Sequence, residues 1–309
     1  MIPIVIIGSG IAGLACARRL ADEGLSPVVL DKGRGIGGRV ATRRAGDLQF
    51  DHGAQYVTAQ DARFAAVLHG LETKGALADW PDAKARPRSV GTPGMSAIAK
   101  ALGAGLDIRQ GVQVARIVAD GAAWALHLGD SILHAARVVV TVPAPQVAGL
   151  LGADHPLTAA VAGVRLAPCL TLMAAIDAPA PFASRQDRDD ALTWIARDNS
   201  KPARPQGPAL WVAQAGEAFS LTHLEQDPTA IAAAMLPLLC DRLGVTTDRV
   251  THAAAHRWRY ARVTQPLGQP FLTDAGGTLH LGGDWCIGPR VEAAWISGTA
   301  IADDILARG

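Results

Sequence analysis

Three glycines, Gly8, Gly10 and Gly13, stand directly behind the apolar run Pro3-Ile4-Val5-Ile6-Ile7, a spacing that suits phosphate binding. Gly8 lets the chain turn sharply out of a strand, Gly10 lets a pyrophosphate approach bare backbone, and Gly13 lets the following helix pack close. Ile11 and Ala12 open that helix, whose first N–H groups are unpaired and carry partial positive charge toward an anion. A second apolar strand, Pro27-Val28-Val29-Leu30, ends in Asp31. An acid about 20 residues past the glycines is where the ribose hydroxyls of an adenosine need an acceptor. Strand, glycines, helix, strand and acid in that order predict a dinucleotide site.

Behind Asp31 runs a loop of glycine and arginine, Lys32 to Arg43, with no apolar periodicity. Glycines allow close backbone approach and Arg39 or Arg43 can neutralise phosphate; Lys32, Gly38, Arg39 and Thr42 are its candidate contacts. The next segment, Phe50-Asp51-His52-Gly53-Ala54-Gln55-Tyr56-Val57-Thr58, sets polar and aromatic groups around a glycine. Near the other end, Thr278-Leu279-His280-Leu281 reads as a strand leading into Gly282-Gly283-Asp284.

These groups need a scaffold, and the chain supplies one. Its 309 residues can bury a large core; 49% are hydrophobic and 18% charged, as in a globular protein. A helix follows the glycines to Glu23-Gly24. Residues 59–91 read as helical and polar, with Pro81, Pro87 and Pro93 as punctuation, and a helix is predicted from Ser96 to Leu102. Residues 106–151 look like a β meander whose last strand, Ala136 to Val142, is apolar enough to be buried on both faces. Strand cores fall at 170–176, 192–196 and 210–214, an amphipathic helix interrupted or kinked near Pro237 at 228–243, a strand from His252, and a closing helix at 291–307.

A net charge of +1 argues against nucleic-acid or anionic-membrane partners held by bulk electrostatics. Cys16, Cys169, Cys240 and Cys286 are scattered without a CxxC pair, so neither a metal site nor a disulfide framework is expected, and the cytoplasm fits best. The apolar start is too short for an export signal and reads as structure.

The cradle, Asp31, Gly37-Gly38-Arg39, Asp51 to Tyr56 and Gly282-Gly283-Asp284 together resemble the flavin amine oxidase superfamily. Asp198-Asn199-Ser200-Lys201-Pro202, Trp211 to Ala215 and His256-Arg257-Trp258-Arg259-Tyr260-Ala261 are most similar to renalase and its bacterial relatives. The resemblance implies an α/β fold with an α+β insert: a Rossmann-like FAD-binding domain (1–58, 92–150 and 272–309) interleaved with a mixed-sheet substrate domain (59–91 and 151–271), as in p-hydroxybenzoate hydroxylase and the amine oxidases. It also implies non-covalent FAD, oxidation of dihydro isomers of NAD(P)H, and return of electrons to O2 as H2O2.

Carried over by position, Gly8, Gly10, Ile11, Ala12 and Gly13 would hold the pyrophosphate, Asp31 the ribose and Arg39 the phosphates. Val114 would offer backbone to the adenine side. Gly53, Ala54, Gln55, Gly283 and Asp284 would contact the rest of FAD, and the helix from Val291 would turn its positive end toward the flavin ring. Hydride transfer needs a donor held about 3 to 3.5 Å from the acceptor in a dry pocket with flat walls. Tyr56, His256 and Trp258 are the candidates nearest the chemistry; Trp194, Trp211, Arg257, Arg259 and Trp285 are candidates for substrate binding. Many superfamily amine oxidases use a lysine near the flavin; here the lysines are Lys32, Lys74, Lys84, Lys100 and Lys201, none in an obvious strand over it. Alternatives are an amine oxidase or desaturase of another metabolite, or an FAD-binding protein with a sensory role.

Overall fold

A computed structural model describes residues 1–81 and 88–308; Lys84, Pro87 and the final residue of the 272–309 segment lie outside them. The cradle is built from β1 (Ile2–Ile7), α1 (Ile11–Asp22) and β2 (Val28–Asp31). A short hairpin, β3 (Arg43–Ala45) and β4 (Leu48–Phe50), follows the arginine loop. Then come α2 (Ala62–Thr73), β5 (Leu77–Asp79), β6 (Ser89–Gly91) and α3 (Ser96–Leu102). The β5–β6 pair was not expected: three-residue strands are too short to display a period of two.

The expected meander splits. β7 (Asp107–Gln110) pairs in parallel with β2, whereas β8 (Arg116–Asp120), β9 (Ala123–Leu128) and β10 (Ser131–Val140) form an antiparallel run. The second half of β10 then lies parallel to β1, Ile4 opposite Arg137 and Ile7 opposite Val140. Val138, Val139 and Val140 are fully buried there, as their unbroken apolar run requires. Two short helices, α4 (Val147–Leu151) and α5 (Pro156–Ala160), lead into the second sheet.

That sheet is antiparallel throughout: β11 (Arg165–Ile176), β12 (Ser184–Gln186), β13 (Trp194–Arg197), β14 (Ala209–Gln214) and β15 (Val250–Gln265), in the order β12-β13-β14-β11-β15. Between β14 and β15 run α6 (Glu217–Thr222) and α7 (Pro228–Leu243). Pro237 sits inside α7, which continues through it. One face of the sheet, Leu170, Leu172, Ile195, Trp211 and Ala213, packs on Ile231, Met235 and Leu239 of α7. The opposite face, Met173, Ala175, Leu210 and Val212, packs on Phe50. The chain returns to the first sheet through β16 (Leu272–Thr273) and β17 (Leu279–Leu281), and α8 (Val291–Ala307) closes it. β17 pairs in parallel with β10, while β16 joins β17 and β9 joins β10 antiparallel, so the first sheet is mixed, its main path in the order β16-β17-β10-β1-β2-β7. Among the described residues no helix is long and apolar enough to cross a membrane.

Candidate active site

The carboxyl ends of β1, β2 and β10 open into one cavity of about 1960 Å³, lined there by Ile7, Gly8, Leu30, Asp31, Thr141 and Val142. Ligands of open α/β sheets bind at that edge. Drug-sized sites span roughly 300 to 1,000 Å³, so the space suits a dinucleotide with a second molecule beside it. All the residues expected to hold the cofactor line it except Gly13 and Thr42. Gly13 acts one layer back: a Cβ there would come 2.0 Å from the carbonyl oxygen of Gly8, so only glycine lets α1 begin so close to β1. At Gly10 a Cβ would meet nothing within 4 Å, leaving that face of the turn open to the cavity. Thr42 instead donates to Asp51 Oδ1 at 2.7 Å and receives the N–H of Ser96 at 3.0 Å.

Asp31 holds the cradle in shape as well as lining it. Its Oδ2 accepts from the Ser9 N–H at 2.6 Å and hydroxyl at 2.7 Å, and its Oδ1 accepts from the Gly33 N–H at 2.7 Å. Carboxylate oxygens keep lone pairs beyond these three bonds, so a ribose hydroxyl can still be received. Arg39 is not a free phosphate clamp: Asp284 grips it with both carboxylate oxygens, at 2.8 and 2.6 Å. The two residues line the cavity together, and the glycine loop is thereby joined to the carboxy-terminal turn.

Of the aromatic candidates, Tyr56, Trp194 and Trp258 line the cavity, and Tyr260 lines it beside them. The rings of Tyr56 and Trp194 lie 5.7 Å apart, and the Arg88 guanidinium packs over both, at 4.7 and 5.1 Å from their centroids. Trp211 and Trp285 do not line it. Strand alternation turns Trp211 to the α7 side, where Phe182 meets it edge-on at 5.3 Å, while Gln214 and its cross-strand partner Trp194 take the cavity side. Trp285 is buried beneath the sheet edge and donates to the Val142 carbonyl at 3.0 Å.

Arg257 and Arg259 face away as well. Arg257 donates to the Leu224 carbonyl, and Arg259 forms a bidentate pair with Glu225 at 2.7 and 2.9 Å in solvent. Trp258 lies opposite Cys169 on β11, and both reach the cavity. Burial pushes the Cys169 thiol up to about 11, so it stays protonated near neutrality. His256 stands behind the wall: its ring meets Trp258 at 4.3 Å and His52 at 4.8 Å, and it does not line the cavity. The Trp258 indole donates to the His52 carbonyl at 2.8 Å. Burial first, then His256 and Arg43, lower His52 to about 4; burial, Arg43 and Arg257 also depress His256. Both rings are therefore neutral at physiological pH.

Several lining residues were not among the site candidates read from the sequence. Gln214 donates to the Gly53 carbonyl at 2.7 Å. Arg290, at the start of α8, lines the cavity and pairs with Glu292, a buried acid that also accepts the Gln60 and Asp61 N–H groups at 2.6 and 2.7 Å. Arg188, Asp189, Glu217 and Arg262 add charge to the same space. Lys201 has no place on the cavity; it is buried in an ion cluster with Asp51, Asp198 and Arg204. Burial works against the charge on Asp51, but Lys201 and Arg204 overcome it and hold its pKa below the usual carboxylate range.

Residues 6–71 match the pattern of NAD(P)-binding Rossmann-like domains, and residues 82–306 that of flavin containing amine oxidoreductases. A stretch of 73 residues is 40% identical to amine oxidase [flavin-containing] B of Cavia porcellus, spanning 23% of this chain and 14% of that protein. A protein assigned as a protoporphyrinogen oxidase from Exiguobacterium sp. 255-15 superposes with a TM-score of 0.81 at 13% identity, over 100% of this chain and 99% of the other. Cyclohexylamine oxidase from Brevibacterium oxydans IH-35A superposes with a TM-score of 0.75 at 13% identity, over 99% of each chain. Likeness at such identity speaks for the fold; the sequence pattern running from residue 82 to 306 goes further, and by it the chain belongs to the flavin-containing amine oxidoreductase family and is an FAD-dependent oxidoreductase.

Proposed function

We propose that this oxidoreductase takes hydride from dihydro isomers of NAD(H) or NADP(H), in the manner of the renalase branch, and returns the electrons to O2 as H2O2. The observation that carries the reading is the size and lining of the cavity at the carboxyl ends of β1, β2 and β10: about 1960 Å³, with Tyr56, Trp194, Trp258 and Tyr260 as flat walls. FAD, held without a covalent link, supplies the hydride acceptor. The chain's own part is to bind and to orient. Gly8, Gly10 and the first turn of α1 would receive the pyrophosphate, Asp31 the ribose, and Val114 the adenine edge. The aromatic walls would stack on a planar guest and keep water away. The N-terminus of α8 turns its positive end to the cavity, where it would favour an electron-rich ring, while the Arg290 charge is matched by Glu292.

Anaerobic stopped-flow mixing with a panel of purified dihydronicotinamide isomers tests this. Bleaching by at least one isomer, then recovery with peroxide release in air, is expected; a flavin that none of them bleaches ends the reading. A second reading, amine oxidation, draws on the family itself and on Asp189 and Glu217, which line the cavity and would attract a cationic amine. Against it, Lys32 is the one lysine of the described residues that lines the cavity, and it follows Asp31 at the ribose end. Bleaching by an amine panel and not by the isomers would favour that alternative.

A further inference from the structure

Four charged side chains lie out of water behind the cavity wall, and nothing proposed above uses them. Asp51, Asp198, Lys201 and Arg204 have side chains 0% exposed. Lys201 Nζ donates to Asp198 Oδ1 at 2.7 Å, to Asp51 Oδ2 at 3.3 Å and to Gln55 Oε1 at 3.2 Å. Arg204 donates to Asp51 Oδ2 at 2.6 Å. The other Asp51 oxygen accepts from the Thr42 hydroxyl and from the Met95 N–H at 2.8 Å, and the Asp51 N–H reaches Asp198 Oδ2 at 3.3 Å. Two cations thus face two carboxyl groups, and of these Asp198 is pushed above the usual carboxylate range by burial and by the Asp51 charge. Desolvating four ions often outweighs their attraction, and an apolar cluster of the same shape would commonly be at least as stable. Such a cluster calls for a role other than stability.

Gln55 supplies the link to the cavity. Its Nε2 donates to the carbonyls of Asp51 and Gly53, the latter at 3.1 Å, while its Oε1 faces Lys201. An ammonium has only donors to offer, so it fixes which way the amide is turned: oxygen toward Lys201, NH2 toward the two carbonyls. Gly53, Ala54 and Gln55 all line the cavity, and Gln214 on the second sheet donates to the same Gly53 carbonyl. The geometry points to Lys201 as a positioning residue for the cofactor: held by Asp198 and Asp51, its ammonium orients the Gln55 amide and so fixes the Gly53–Gln55 wall that meets FAD. This rests on the reading that the Gly53–Gln55 wall faces the flavin.

The test uses the full-length protein and two readouts that need no substrate, FAD affinity by fluorescence titration and the flavin midpoint potential. Gln55→Leu removes the amide. The paired change Asp198→Asn with Lys201→Met removes one charge of each sign, so no lone ion is left buried. Each is expected to weaken FAD binding about tenfold. Each should also change the ratio of oxidised to reduced FAD affinity about tenfold, which for a two-electron couple is about 30 mV. Combined, the three substitutions should add no more than about twofold beyond either alone, because Lys201 acts through Gln55. Wild-type affinity and potential in Gln55→Leu overturn the proposal whatever the cluster variant does. So does a cluster variant that loses thermal stability alone, or full additivity of the two effects. Failure on these readouts leaves the nicotinamide reading to the stopped-flow panel.

Discussion

Arg39 and Asp284, 245 residues apart in sequence, meet in a bidentate ion pair at 2.8 and 2.6 Å. Arg39 also donates to the Ala261 carbonyl on β15 at 3.0 Å. One guanidinium thus joins three segments: the loop after β2, the second sheet and the turn before α8. Fork-to-fork pairing of this kind fixes direction as well as distance. Arg39 and Asp284 therefore line the cavity as one tied unit, not as two independent side chains.

Asp284→Ala should lower apoprotein stability by about 1–3 kcal/mol, since the Asp284 side chain is 8% exposed and its Arg39 partner 32%. FAD affinity should fall at least tenfold, because the glycine loop loses its anchor. Thermal unfolding of the apoprotein and flavin titration check the two effects separately. Replacing both partners, Arg39→Met with Asp284→Leu, should restore part of the stability and none of the affinity.

Gly10 and Gly13 should separate affinity from folding. A Cβ at residue 13 would stand 2.0 Å from the Gly8 carbonyl oxygen, so Gly13→Ala forces α1 away from β1 and should cost about 1–3 kcal/mol. A Cβ at residue 10 meets no protein atom within 4 Å. Gly10→Ala should therefore leave the apoprotein melting temperature within a degree or two and still impair FAD uptake. Equal FAD affinity in Gly10→Ala and wild type would move the pyrophosphate elsewhere.

His52 should make stability depend on mild acid. Its folded pKa, about 4, lies below the usual value of 6.5, so between these pH values the unfolded chain binds the proton and the folded chain does not. Stability is then complete above pH 6.5 and falls as pH drops toward 4, by about 1.4 kcal/mol per unit and about 3 kcal/mol in all. His256, also depressed, adds in the same direction. Urea midpoints at pH 7.5, 6 and 5 measure the slope, and His52→Gln should flatten much of it. A slope unchanged by that substitution would assign the acid sensitivity to other groups.

The parts legible in the sequence are those with a local signal. The glycine cradle and Asp31 are fixed by backbone spacing over some thirty residues, and α8 (Val291–Ala307) follows from a continuous helical pattern with no proline. The buried half of β10 is plain from its run of valines. What escaped depends on which way a side chain faces in three dimensions. Trp194 and Trp211 looked alike as candidates, yet the register of β13 with β14 sends them to opposite faces. Arg257 and Arg259 alternate with Trp258, and which face met the cavity was decided by the pairing of Trp258 with Cys169. The buried ion cluster joins Asp51 to residues about 150 positions away, and no periodicity announces such a pairing.

Arg88 shows how the aromatic wall is held, and its removal gives a prediction that cofactor affinity cannot mimic. The guanidinium packs 4.7 Å from the Tyr56 ring, 5.1 Å from Trp194 and 5.9 Å from Trp80, while Trp80 meets the Lys201 ammonium at 5.5 Å. Two cations thus flank Trp80, and Arg88 itself stands behind the two rings that line the cavity. A partly desolvated cation over an aromatic face contributes about 0.5–2 kcal/mol, so Arg88→Ala should free Tyr56 and Trp194 to rotate. Arg88 does not line the cavity, and the cradle at the end of β1 is untouched, so FAD affinity should stay within about twofold of wild type. Looser walls would grip a planar guest less well: KM for whichever substrate bleaches the flavin should rise several-fold, with a smaller change in the limiting rate of reduction. Arg88→Lys keeps the charge but not the flat guanidinium, and should recover only part of the loss. If Arg88→Ala weakened FAD binding as much as it raised KM, Tyr56 and Trp194 would belong to the cofactor's side of the cavity.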